Sequence, residues 1–150
     1  MRLIPITKQN GFTLVEILVV LTIFFTVVSI TVFTFNPLIR HMQINHFFEQ
    51  LQIDIAYSKM YAISNYKDVR IRFFPESHRY EINSGFNNPI LVKRSYSKNI
   101  NIELGTLPAT VTFLGNGTIL RSGKMFVHYY DEVYAFVFLF GKGTTYVEKM

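Results

Sequence analysis

The sequence predicts an α+β protein: a long N-terminal helix, half membrane-spanning and half amphipathic stem, packed on a small antiparallel β-sheet head. Three observations carry this. From Ile17 to Ile39 no residue is charged, and Ile, Leu, Val and Phe dominate. From Leu38 to about Asn65 apolar residues recur at helical spacing. Beyond Asn65 the period falls to two and turn signals separate short runs, so a helix is followed by a meander of strands.

Four segments follow in order. Residues 1–11 form a short leader whose charges, Arg2 and Lys8, are both basic. Residues 12–36 form the first half of the helix. The roughly 24 residues from Phe12 to Phe35 would span about 36 Å, enough to cross a bilayer core of ~30 Å with some tilt. Positive charge just before an apolar helix keeps the leader cytoplasmic and puts the C-terminal body outside. Glu16 is the anomaly in this segment. An ionisable group at membrane depth costs about 2.5–3.5 kcal/mol near the centre and less near the interface, so Glu16 calls for a cationic partner.

Residues 37–66 form the amphipathic stem. In Asn36-Pro37 the Asn can cap a helix and the Pro suits a first turn, whereas Pro inside a helix would kink it, so the stem is expected to bend or restart there. Ile44, Phe48, Leu51, Ile55 and Ala62 recur at spacings of three, four or seven and form a stripe to receive the head. Gln43, Asn45, Glu49, Gln52, Asp54 and Lys59 mostly occupy other faces.

Residues 67–150 form the β-rich head. Val69, Ile71 and Phe73 alternate with Arg70 and Arg72, so the arginines share one face of a strand. Pro75–Arg79 reads as a turn and Tyr80-Glu81-Ile82 as the returning strand. Ser84–Pro89 has loop composition. Further strands are expected at 90–96, 100–104, 109–114, 117–120, 124–130, 134–140 and 144–147, with glycine turns at Gly115-Asn116-Gly117 and Gly141-Lys142-Gly143. The apolar run from Ala135 to Phe140 implies cover on both faces, one of them by the stem.

Composition bounds the chemistry. With 150 residues, roughly 85 remain for the head, enough for one small core. The 15 Phe and 9 Tyr supply that core, and the absence of cysteine excludes a disulfide framework and any thiolate site. His41 and His46 lie five apart, about 140° round a helix, and cannot form an i, i+4 metal pair. No nucleophile motif occurs, and the glycine turns are too short to cradle phosphate. No enzyme activity, metal or cofactor is expected. The net charge of +5 falls to about +3 without the leader.

The stretch Lys8-Gln9-Asn10-Gly11-Phe12-Thr13-Leu14-Val15-Glu16, before an uninterrupted apolar helix, resembles the class III signal of type IV pilins and of the pseudopilins of type II secretion and competence systems. A secretory signal peptide would have a shorter apolar region and a small-residue cleavage site. A lipoprotein would need a cysteine. A plain single-pass anchor predicts the same helix but explains neither Glu16 nor the Gly-Phe junction. The resemblance implies cleavage between Gly11 and Phe12 by a membrane prepilin peptidase, N-methylation of Phe12, and a role for Glu16 in subunit registration and assembly. The new amine at Phe12 is then the cation for Glu16 of a neighbouring subunit. Other major and minor pilins of a hetero-oligomeric filament, a pilus assembly membrane protein and an ATPase are the implied partners.

The head is similar, with less specific motifs, to minor pseudopilins of the GspH/FimT type. Ala56–Ile63, Val69–Phe73, Tyr80-Glu81-Ile82 and Thr112–Gly117 carry that likeness. The whole pattern is most like a minor pilin of the Gram-positive competence pilus, which takes up DNA, and places the chain in the cell membrane and then at the cell surface. A type II secretion-like pseudopilin and a membrane-anchored scaffold outside any filament are the other readings. So is a head that itself binds DNA, through Arg70, Arg72, Lys93, Arg94, Arg121 and Lys124, with Lys98 nearby and Tyr80, Tyr96 and Tyr129 as stacking platforms if they share a groove.

Overall fold

A computed structural model describes residues 12–85, 89–140 and 144–150, and their side chains except those of 31–38. The leader, Gly11 and the turn at Gly141-Lys142-Gly143 lie outside the described residues, as do positions 86–88 of the expected loop. The chain divides into two compact units, residues 1–41 and residues 42–150.

One helix, α1 (Leu14–Asn65), supplies both expected helical segments. It runs through Asn36-Pro37 without a break, so the stem does not restart there. Eight strands follow: β1 (Val69–Phe74), β2 (Arg79–Ser84), β3 (Ile90–Ser95), β4 (Ile100–Glu103), β5 (Thr110–Phe113), β6 (Gly123–Tyr129), β7 (Glu132–Phe138) and β8 (Thr145–Lys149). They form two four-stranded antiparallel sheets. The first has the order β3-β2-β1-β5 and the second β4-β6-β7-β8. The strand expected at 117–120 is reduced to a single bridge between Phe113 and Ile119.

The β1–β2 connection is a 3-10 turn, Pro75–Ser77, closed by His78 at φ 47°, whose N–H donates to the Pro75 carbonyl. Gly117 has φ +80°, a conformation glycine adopts without strain.

Residues 42–150 share one core. Ile44, Phe48, Leu51, Ile55 and Ala62 are buried as their spacing predicts, and Phe47 joins them. They meet Val69, Ile71 and Phe73 of β1, Tyr80 and Ile82 of β2, and Met125, Val127, Phe136 and Phe138 of the second sheet. The Phe48 ring lies 5.2 Å from that of Tyr134 and 6.1 Å from that of Phe136, so the stem covers one face of β7 as expected. The strand ends at Phe138, however, and Leu139 and Phe140 are exposed, so the run to Phe140 is not covered throughout. Strand alternation does the sorting: with Val69, Ile71 and Phe73 inward, Arg70 and Arg72 must face outward.

Candidate functional site

The first site is the start of α1. Thr13 is its N-cap: the Thr13 hydroxyl oxygen accepts the Glu16 N–H at 3.3 Å, and the Glu16 carboxylate accepts the Thr13 N–H at 3.5 Å. This reciprocal pair is a capping box, and the carboxylate also sits at the positive end of the helix dipole. Glu16 therefore has a partner within its own chain, a job the sequence reading missed although Thr-x-x-Glu at an apolar run signals it. Phe12 is exposed beside it. Gly11, on the other side of the expected cut, is outside the described residues.

Downstream, the side chains from Ile17 to Ile30 are apolar and exposed, with Thr22, Thr26 and Ser29 interspersed. Each of those hydroxyls donates to the carbonyl four residues earlier, on Leu18, Thr22 and Phe25, at 2.7–2.8 Å. Polar groups satisfied within the helix suit an environment without water. Among the described residues no helix is long and apolar enough to cross a membrane. The described apolar stretch reaches about 25 Å, and the sequence continues apolar to Phe35 through residues whose side chains fall outside the description.

The second site lies where the stem meets the first sheet. Asp54, which the helical pattern put away from the core, is 3 % exposed. Its carboxylate accepts the Tyr80 hydroxyl at 2.7 Å, Arg94 Nε at 3.1 Å and Nη2 at 3.4 Å, and Gln50 Nε2 at 3.1 Å. Four donors satisfy a carboxylate that would otherwise be costly to bury. Burial, then the bond to Asp54, hold the Tyr80 hydroxyl well above the usual tyrosine range. The bond to Asp54 likewise raises Arg94.

Beside this network is a cleft of about 310 Å³ lined by residues that include His46, Gln50, Arg94 and Tyr96. The Tyr96 ring packs on Phe47 and His78, and burial pushes its hydroxyl up to about 12.

The basic candidates divide. Arg70 and Arg72 of β1 and Arg121 of the β5–β6 connection line one cleft of about 320 Å³, together with Pro108, Thr110, Thr112 and Leu120. Lys93 and Arg94, as neighbours on β3, point to opposite faces: Lys93 Nζ lies 3.8 Å from Glu81, and Arg94 turns inward to Asp54. Lys124 is on β6 of the other sheet, over the Phe126 ring. Tyr80 and Tyr129 are each 2 % exposed, so neither can serve as a stacking platform. The reason is strand parity, which puts both rings on core-facing positions.

Comparison with known proteins agrees with this architecture. Residues 6–32 match the family described as the prokaryotic N-terminal methylation motif. Over 147 residues, 97% of this chain and 98% of its relative, the sequence is 28% identical to competence protein ComGD of Bacillus subtilis (strain 168). The fold is similar to that of the type IV minor pilin FimU of Pseudomonas aeruginosa, with TM-score 0.56, 15% identity, and 67% of this chain and 84% of that one covered. It is also similar to the minor pseudopilin EpsH of the type 2 secretion system of Vibrio cholerae, with TM-score 0.54, 12% identity, and 71% and 97% covered.

A methylation motif leading into a long helix that packs on antiparallel sheets defines a type IV pilin-like protein. Within that class its fold is similar to those of a minor pilin and a minor pseudopilin.

Proposed function

We propose that this chain is a minor pilin of a competence pilus. It is made as a single-pass membrane protein with the leader cytoplasmic and the head outside. Prepilin peptidase cuts between Gly11 and Phe12, and the new Phe12 amine is methylated. That amine pairs with Glu16 of a neighbouring subunit, registering the chain in a hetero-oligomeric filament built by the pilus assembly membrane protein and its ATPase. The filament brings DNA to the cell.

The observation that carries this reading is the match to a competence protein over nearly the whole of both chains, with the methylation motif at its start. The capping box adds a physical reason for the position of Glu16: paired with Thr13, the carboxylate is held at the first turn, close to where a neighbour's amine must arrive.

Intact mass of the protein recovered from cells tests the processing. The expected species is residues 12–150 with one added methyl group, and a chain that keeps residues before Phe12 in cells with active peptidase refutes it. Deletion of the gene tests the system: transformation should fall to background while protein secretion is unchanged. The fold likeness to EpsH favours a secretion pseudopilin as the second reading, and the opposite result of the deletion would select it.

A further inference from the structure

We propose that the outward face of the first sheet binds the phosphate backbone of double-stranded DNA, in the cleft formed by Arg70, Arg72 and Arg121. The choice of DNA as the polyanion rests on the competence reading above. The cleft itself rests on the following geometry.

Three backbone facts bring the guanidinium groups together. Arg70 and Arg72, two apart on β1, lie on one face about 6.6 Å from each other along the strand, because their neighbours Val69, Ile71 and Phe73 fill the core. On the adjoining strand, Thr112 stands opposite Arg70 and Thr110 opposite Arg72. Arg121 arrives because the chain after β5 doubles back: Phe113 bridges Ile119, and the Leu120 N–H donates to the Thr112 carbonyl at 2.9 Å. The result is three guanidinium forks and two hydroxyls around about 320 Å³, and none of the described residues lining that space is acidic.

The surroundings reinforce the charge. The same sheet face carries Arg79 and Lys93, with one carboxylate, Glu81, lying 3.6 Å and 3.8 Å from them. Glu81 also stands opposite Arg72 across the β1–β2 pair and offsets part of the charge on that side, whereas the described residues lining the cleft towards β5, where Arg121 arrives, include no acid. Cations gathered in one concavity repel each other and raise its positive potential, and an anion seated there relieves the repulsion.

Phosphodiester is the anion that fits this chemistry. Guanidinium forks give two parallel bonds to phosphate oxygens, and hydroxyls donate a further one. Single-stranded nucleic acid is less suited, because it calls for exposed aromatic rings beside the groove. Among the described residues lining this cleft, Pro108 and Leu120 are the apolar ones and none is aromatic. The contact is therefore to the backbone and independent of sequence.

The test is a salt titration of the full chain in nonionic detergent against a labelled DNA duplex. Three phosphate contacts predict a slope of log K on log salt of about −2.7, or about 40-fold weaker binding between 50 and 200 mM salt. Arg72→Ala should reduce the slope by about 0.9 and the Arg70→Ala/Arg72→Ala/Arg121→Ala variant should abolish it, whereas Lys124→Ala should leave binding unchanged. Processing and recovery with other pilins, measured for the same variants, report on folding and assembly. Normal assembly with loss of duplex binding supports the site. Absence of duplex binding by the native chain at low salt, or binding that survives the triple substitution, overturns it while leaving the filament role standing. Tighter binding to a poly(glycerol phosphate) polymer than to the duplex overturns DNA as the ligand.

Discussion

Removing the Asp54 carboxylate should destabilise residues 42–150 far more than a change at an exposed helix position. In Asp54→Ala the Tyr80 hydroxyl, at 2 % exposure, keeps its burial and loses its acceptor, which costs about 1–3 kcal/mol. The bonds to Gln50 and Arg94 are lost as well. Because the Arg94 side chain is 45% exposed, its share is reduced by solvent to about 1 kcal/mol or less. The expected total is about 3 kcal/mol, or a fall of about 10–15 °C in the unfolding midpoint for a unit of this size. Urea unfolding of the full chain in mild detergent, followed by near-ultraviolet circular dichroism, reads it. Tyr80→Phe alone should cost about 1 kcal/mol, and the double variant should fall short of the sum by at least that amount. Replacing Asp54, Tyr80 and Arg94 together by Leu, Phe and Met should restore much of the loss, since it removes the buried charge with its partners. A cost below about 1 kcal/mol for Asp54→Ala, or additivity within ~0.3 kcal/mol with Tyr80→Phe, refutes the reasoning.

Glu16→Gln separates the two jobs of that residue. Gln still closes a capping box, so the helix start should survive while entry into the filament fails, and an assembly-competent Gln variant would show that charge is dispensable. Glu16→Ala should lose both, with reduced helicity as the added sign. Gly117→Ala should lower stability by about 1–2 kcal/mol, because φ is +80° and a Cβ would lie 2.6 Å from Ile63 Cδ1; an unchanged urea midpoint would contradict it. Alkaline pH should weaken the head. Burial pushes the hydroxyls of Tyr96 and Tyr134 up to about 12, the latter helped by its bond to Glu132. Unfolded tyrosines ionise near pH 10, so the unfolded chain releases protons first and stability, full below about pH 10, falls as pH rises towards 12. A urea midpoint that stays level across that window would exclude this.

The helix and its stripe were legible because a run of Ile, Leu, Val and Phe at helical spacing has few alternatives, and Ile44 through Ala62 went where their period sent them. Asp54 was not legible. Periodicity sorts residues by their own polarity, whereas Asp54 is admitted to the core by Tyr80 and Arg94, 26 and 40 residues further on. Strand positions were mostly readable from alternation, but their division into two sheets was not, since β1 pairs with β5 across three intervening strands. Parity fixed the outward placement of Arg70 and Arg72 from sequence. Nothing local could bring Arg121 to them, because that depends on the return at Ile119. Lys93 and Arg94 show the converse error: adjacent basic residues on a strand look like one cluster and in fact serve opposite faces.

The two sheets are interleaved along the chain, with β4 of the second sheet lying between β3 and β5 of the first. No contiguous piece of residues 69–149 therefore completes one sheet without including part of the other. As the polypeptide emerges from its N-terminal end, the first sheet stays open at β1 until residue 113 is available, by which point β4 is already waiting for β6. The head must close late and as a whole, so truncation within it should yield an unfolded chain rather than a smaller folded one.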